Sequence, residues 1–231
     1  MIDKSNWRTL FAQAESIINK INADYGIIDF WTLGGGTALM LQINHRSSKD
    51  IDIFFDDPQY LPFFDPSKND FDYSIEPSEY GFSGDSVFKF DFPGYGSIDF
   101  ICAPHVLKQN AREYVIDNST INLDTPLEIL IKKLVYRGDL IQPRDIYDIA
   151  CVTEINDYDD LLEVVSDNIA DIENIMNKLE EYSSDFVSQV IGEMSIPNKF
   201  MPLKSQAYNA TRSMLLDSQQ RAHEKNVSYR G

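Results

Sequence analysis

Cysteine and histidine are scarce in this chain, basic residues are outnumbered, and long apolar runs are missing. Its 231 residues include two cysteines, Cys102 and Cys151, each in an apolar stretch (DFICAP and DIACV). So far apart, they have no metal-ligand spacing, and they read as buried thiols. Three histidines, His45, His105 and His223, are too scattered to suggest zinc. No run approaches the roughly 18 apolar residues a membrane helix needs. The N-terminal stretch MIDKSNWRTLFAQAESIINK is broken by charges and has no signal-peptide core. A soluble, cytoplasmic protein with no membrane partner is the expectation. Several nucleotide and hydrolase signatures are also absent: no G-x-x-x-x-G-K-[ST], no kinase HRD/DFG pair and no G-x-S-x-G elbow.

Only 20 Lys and Arg stand against 37 Asp and Glu, a formal charge of −17. Such a surplus of acid argues against non-specific nucleic-acid binding, because phosphates need cations. The charge is uneven, however. From Pro197 to Gly231, Lys199, Lys204, Arg212, Arg221, Lys225 and Arg230 oppose Asp217 and Glu224, giving +4 and leaving −21 for the remainder. That tail reads either as a solvated helix or as a basic arm for an anionic partner.

What is present suffices for a packed core. Hydrophobic residues make up 43% and aromatics 12%, which excludes overall disorder. The length fits one large domain or two small ones. Residues 5–22 have helical spacing, with Trp7, Leu10, Phe11, Ala14, Ile17, Ile18 and Ile21 on one face. IIDFWTL (27–33) reads as a strand that stops at Gly34-Gly35-Gly36, after which Thr37 is placed to cap a short helix. DIDIFF (50–55) alternates acid and apolar residues as a strand does. VFKFDF (87–92) and SIDFICA (97–103) flank a glycine-containing turn and read as a β-hairpin. From about residue 125 the pattern turns helical: LEILIKKLVYRG, then PRDIYDIACVTEI from Pro143, then an acidic helical stretch over 157–194.

Three features fall in order: Gly34-Gly35-Gly36-Thr37, Asp50-Ile51-Asp52, and Asp99. On a strand, residues i and i+2 share a face, so Asp50 and Asp52 project together while Ile51 and Ile53 turn to the core. Adjacent carboxylates repel unless something positive compensates. With Asp99 on a neighbouring strand, three carboxylates would converge, and hard cations such as Mg²⁺ take oxygen ligands of this kind. A strand that enters a glycine turn and leaves as a helix brings backbone N–H groups close to a phosphate. Cradle and carboxylates together suit a nucleoside triphosphate with two metal ions.

At these residues the chain resembles the nucleotidyltransferases of the DNA polymerase β superfamily. More closely, LGGGTALMLQINHRSSKDIDIFF (33–55) and EILIKKLVYRGDLIQPRDIYDIA (128–150) are similar to the two motif blocks of the AbiEii/AbiGii toxin family. The resemblance covers about the first 150 residues. It implies an α+β fold: a polymerase β-like nucleotidyltransferase domain over residues 1–118, with a mixed sheet and flanking helices, then an all-helical domain over 119–231. That second domain would contribute Lys133 and the RDIYD helix to the cleft. The resemblance makes Asp50, Asp52 and Asp99 the metal ligands and Gly35, Gly36 and Thr37 the triphosphate cradle. Arg46 is a phosphate contact or a strand-end salt bridge. Lys133 would neutralise phosphate charge as pyrophosphate leaves, with Lys132 beside it on another helix face. Asp145 and Asp148 share one helix face; with Arg144 they would orient Lys133, assist proton transfer or fix packing.

The implied activity is Mg²⁺-dependent transfer of a nucleotide from an NTP to RNA, with tRNA foremost, by the toxin of a type IV-like toxin–antitoxin pair whose antitoxin forms no stable complex. Phosphate contacts would have to come from Lys132, Lys133, Arg137, Arg144 and the tail. Rival readings are the same chemistry on a protein or small-molecule acceptor, and a non-catalytic nucleotide-binding regulatory module.

Overall fold

A computed structural model describes residues 5–117 and 119–228 of the chain. It divides into two compact units, Met1–Thr125 and Pro126–Gly231.

The first unit opens with α1 (Ser5–Tyr25), whose seven expected apolar residues are all buried. A short strand β1 (Thr32–Gly34) runs straight into α2 (Gly35–Ile43). Then follow β2 (Ile51–Phe55), a 3₁₀ turn (Pro58–Phe64), β3 (Glu79–Phe82), β4 (Val87–Phe92), β5 (Gly96–Cys102), β6 (Ala111–Ile116) and β7 (Ser119–Asp124). The seven strands form one mixed sheet in the order β3-β4-β5-β2-β1-β7-β6. β2 runs parallel to β5 and β1 parallel to β7, while the other neighbours are antiparallel. Period-two alternation assigns the faces. Ile51, Ile53, Phe55, Phe88, Phe90, Phe92, Ile98 and Phe100 are buried. Phe64 from the 3₁₀ turn stacks between Phe55 and Phe100 at centroid distances of 5.6 and 3.9 Å. Burying rings of this size supplies on the order of 2–3 kcal/mol each.

Two expectations change here. The strand read over 27–33 is only Thr32–Gly34. Asn22 takes both backbone groups of Ile28: its Nδ2 donates to the Ile28 carbonyl and its Oδ1 accepts from the Ile28 amide, at 2.9 and 2.8 Å. Those groups are therefore not offered to a ladder. The boundary read between residues 118 and 119 also falls ahead of β7, which pairs with β1 inside the sheet.

The second unit is helical: α3 (Pro126–Arg137), α4 (Pro143–Ile155), α5 (Tyr158–Asn168), α6 (Ile172–Glu180), α7 (Ser184–Gly192) and α8 (Ala207–Ser228). α4 begins at Pro143 behind a capping box between Gln142 and Asp145. It forms the centre of this unit, burying Ile146, Tyr147, Ile149, Ala150, Cys151 and Val152. α8 packs on α4, and Thr211 Oγ1 donates to the Ile146 carbonyl at 3.0 Å. Its bases face the acidic helices: Arg212 meets Glu180, Arg221 meets Asp159 and Lys225 meets Asp167, at 3.1, 3.4 and 2.5 Å. The tail is thus a packed helix with these three charges paired within the unit, rather than a free basic arm; Arg230 lies outside the described residues. Cys151 is buried as expected, whereas Cys102, at the end of β5, is half-buried. Among the described residues no helix is long and apolar enough to cross a membrane.

Candidate active site

Strand register builds the acidic site. Asp52 on β2 lies level with Asp99 on β5 and with Gly34 on β1. Level residues on neighbouring strands point to the same face, and the strands stand about 4.8 Å apart. Asp52 and Asp99 are therefore held side by side on the face opposite Ile51, Ile53 and Phe100. Asp50 sits just ahead of the strand, and its Oδ1 accepts from the Ser97 amide at 3.1 Å. The structure thus brings two of the three expected carboxylates together and engages the third with the start of β5.

The glycine turn packs against this pair. Gly35 has φ +61°, a left-handed conformation, and a Cβ there would lie 1.8 Å from Asp52 Oδ2. A Cβ on Gly36 would meet Arg46 Nη2 at 2.7 Å. Arg46 is buried and lies against the first turn of α2, with its Nη1 donating to the Ser47 carbonyl at 3.1 Å. Among the described residues no side chain caps the start of α2. The expected capping role of Thr37 is not seen, because helix begins two residues earlier and the Thr37 hydroxyl instead donates to the Asp50 carbonyl at 2.6 Å. That bond fastens α2 to the strand carrying the acids.

Asp99 Oδ1 is buried and has no hydrogen-bond partner among the described residues. Burial pushes the Asp99 carboxyl above its ordinary range, against the pull of Lys89 and a hydrogen bond from Ser97, with Asp50 adding to the rise. A buried carboxylate oxygen without a donor suits a hard divalent cation. Among the described residues no group of three or more His, Cys, Asp or Glu forms a finished metal site. Two adjacent carboxylates fit Mg²⁺ all the same, since that ion is commonly held by one or two carboxylates plus substrate phosphates and water.

Two neighbours of this row were missed in the sequence. Lys89 on β4 is in register with Asp99. Counting back from the hairpin turn through the pair Phe92 and Gly96 would have found it. His105 Nε2 lies 3.2 Å from Asp124 Oδ1 and 3.3 Å from Thr32 Oγ1, while its Nδ1 lies 3.4 Å from Asp56 Oδ1. No local pattern announces that network, because its members come from four separate segments.

In the helical unit the RDIYD motif forms a buried charge cluster. Lys133 Nζ reaches Asp145 Oδ1 at 2.6 Å and Asp148 Oδ2 at 3.1 Å, and Arg137 reaches Asp145 Oδ2 at 3.5 Å. Burial pushes Asp145 up, yet Lys133 and Arg137 together bring it below the usual carboxylate range. Lys132 pairs with buried Glu128 at 3.8 Å. Arg144 is exposed. Of the four cations expected to meet phosphates, Lys132 and Lys133 are thus buried in ion pairs.

The family model of the nucleotidyl transferase AbiEii toxin, type IV toxin–antitoxin system, matches residues 22–224. The chain belongs to that family. It is accordingly a nucleotidyltransferase of the AbiEii toxin type. Among solved structures, MenT4, a nucleotidyltransferase toxin from Mycobacterium tuberculosis, is similar in fold at a TM-score of 0.52 and 16% identity, over 95% of this chain and 89% of that one. JHP933 from Helicobacter pylori gives 0.47 at 16% identity over 98% and 97%, and ANT(2")-Ia with adenylyl-2"-tobramycin gives 0.43 at 14% over 68% and 94%. Among curated proteins, none matches the chain.

Proposed function

We propose that this AbiEii-family protein is a Mg²⁺-dependent toxin that transfers a nucleotide from an NTP to the terminal hydroxyl of an RNA, tRNA foremost. The observation that carries the reading is the row Gly34–Asp52–Asp99, with the left-handed turn at Gly35 pressed onto Asp52. In this reading the uncapped N-terminus of α2, with Gly35, Gly36, Thr37 and Arg46, receives the triphosphate. Asp52 and Asp99, with Asp50 beside them, would hold Mg²⁺, which would supply charge stabilisation to the reacting phosphate. The acceptor oxygen forms its bond to the α-phosphorus as the bond to the α–β bridging oxygen breaks. Pyrophosphate takes that electron pair, and the hydroxyl proton passes to a carboxylate of the site. Lys133 is the residue to which the family resemblance gives a phosphate-neutralising role, and Asp145 and Asp148 hold its ammonium. The antitoxin acts without a stable complex.

A second reading moves the same chemistry to a protein or small-molecule acceptor. It is favoured by the −17 charge and by the pairing of Arg212, Arg221 and Lys225 within their own unit. One experiment separates the two. Each α-labelled NTP is incubated with Mg²⁺, total tRNA and cell protein, with Asp52→Ala as blank. Label in tRNA that the variant loses supports the proposal and names the nucleotide. Label confined to protein moves the reading to protein nucleotidylation, and label in neither fraction refutes both macromolecular acceptors.

A further inference from the structure

The sheet face that carries the acids has cations at its two ends. Arg46 stands at the glycine turn, against Gly36. At the far side of the acids, Lys89 stands level with Asp99, and Gly81 of β3 stands level with Lys89. Among the described residues of the seven strands, Lys89 is the one Lys or Arg on this face. The other strand cation, Arg112 of β6, is in register with Leu123 and so belongs to the opposite face. Space is open beside Lys89, since a Cβ built on Gly81 would meet nothing within 4 Å.

Lys89 has three carboxylates around it. Asp91 lies at 3.3 Å with both side chains part-exposed, and Asp99 and Asp50 act at longer range. Divalent cations at the acids would take over the charge of Asp99 and Asp50. A part-exposed pair such as Lys89–Asp91 contributes little and exchanges readily for a better anion. Displacement at phosphorus is in line, so attacking and leaving oxygens lie on opposite sides of the reacting atom. With pyrophosphate at the glycine turn, the acceptor arrives from the side of Asp99 and Lys89.

We propose that Lys89 is an acceptor-binding residue whose ammonium holds a backbone phosphate next to the attacking hydroxyl, which selects an RNA end as acceptor. This rests on the transferase reading given above. It supplies a strand cation at the acceptor side of an acidic chain.

The test uses the full chain and a hairpin RNA ending in a 3′-hydroxyl, with Lys89→Gln and Lys89→Arg. Filter binding of the RNA, which needs no turnover, is measured across a salt series beside steady-state transfer. For Lys89→Gln we expect about a tenfold weaker RNA affinity and a correspondingly higher KM for RNA. The KM for NTP should stay within about twofold, and the salt slope should fall by about one. Lys89→Arg should restore most of the affinity. Equal RNA binding by wild type and Lys89→Gln overturns the proposal, as does a fall in kcat with the KM for RNA unchanged. If the wild type binds RNA through Lys89 yet transfers nothing to it, the reading of RNA as acceptor fails, and the acceptor role of Lys89 falls with it. If the wild type binds no RNA and labels only protein, the role is refuted.

Discussion

Replacing Gly35 by alanine tests the site at its tightest point. The substitution carries two costs that can be told apart. First, a non-glycine residue at φ +61° carries about 1–2 kcal/mol of backbone strain, partly offset because alanine narrows the unfolded ensemble by about 0.4–1 kcal/mol. Second, the new methyl would stand 1.8 Å from Asp52 Oδ2, where real Cβ contacts are essentially never under 3.0 Å. The carboxylate must therefore withdraw by about 1 Å, and a displacement of that size at a reacting centre costs about 10²-fold in rate. Gly84 supplies the control, with φ +71° and nothing within 4 Å of a built Cβ. Gly84→Ala should carry the backbone cost alone. Urea unfolding and initial rates of pyrophosphate release from the two variants give the comparison. Gly84→Ala should lose about 0–2 kcal/mol of stability and Gly35→Ala at least as much, and Gly35→Ala alone should lose about 10²-fold or more in rate. A Gly35→Ala enzyme within about threefold of wild type would refute the assignment of Asp52 and its glycine turn to the reaction centre.

The helical unit yields two further expectations. Lys133→Met leaves Asp145 and Asp148 buried without their shared cation, so urea unfolding should show a loss of about 3–5 kcal/mol; an unchanged midpoint would show that the pair is not buried as described. Relief of toxicity by that variant must accordingly be read beside its stability. Asp145 is held below its ordinary range in the folded state, so its stabilisation is present above about pH 3.9 and is lost as pH falls from there through the folded value. Asp145→Asn should flatten that part of a melting temperature against pH curve, and an undiminished acid slope would place it in other groups.

Much of this protein was legible without coordinates, and for a local reason. The seven apolar residues of α1, the hairpin of β4 and β5, and the start of α4 at Pro143 are written in periodicity, turn residues and caps, which act within a few residues of themselves. The same holds for the glycine turn and the D-x-D strand. Other features depend on which strands become neighbours. β3, β6 and β7 carry mixed, largely half-exposed patterns that give no clean alternation. The strand read over 27–33 shrank to its last residues because one side chain, Asn22, took the backbone groups of Ile28. A candidate basic arm became a packed helix because its cations found acids on α5 and α6. Sequence by itself determined the chemistry at hand: glycines, carboxylates and a lysine in motif order, since residue type and local spacing are inherited directly from the chain. Tertiary structure decided which of them meet. Asp52 stands beside Asp99, Asp50 turns to Ser97, and Lys89 completes the row, because register between strands distant in sequence is set by the packing of the whole sheet.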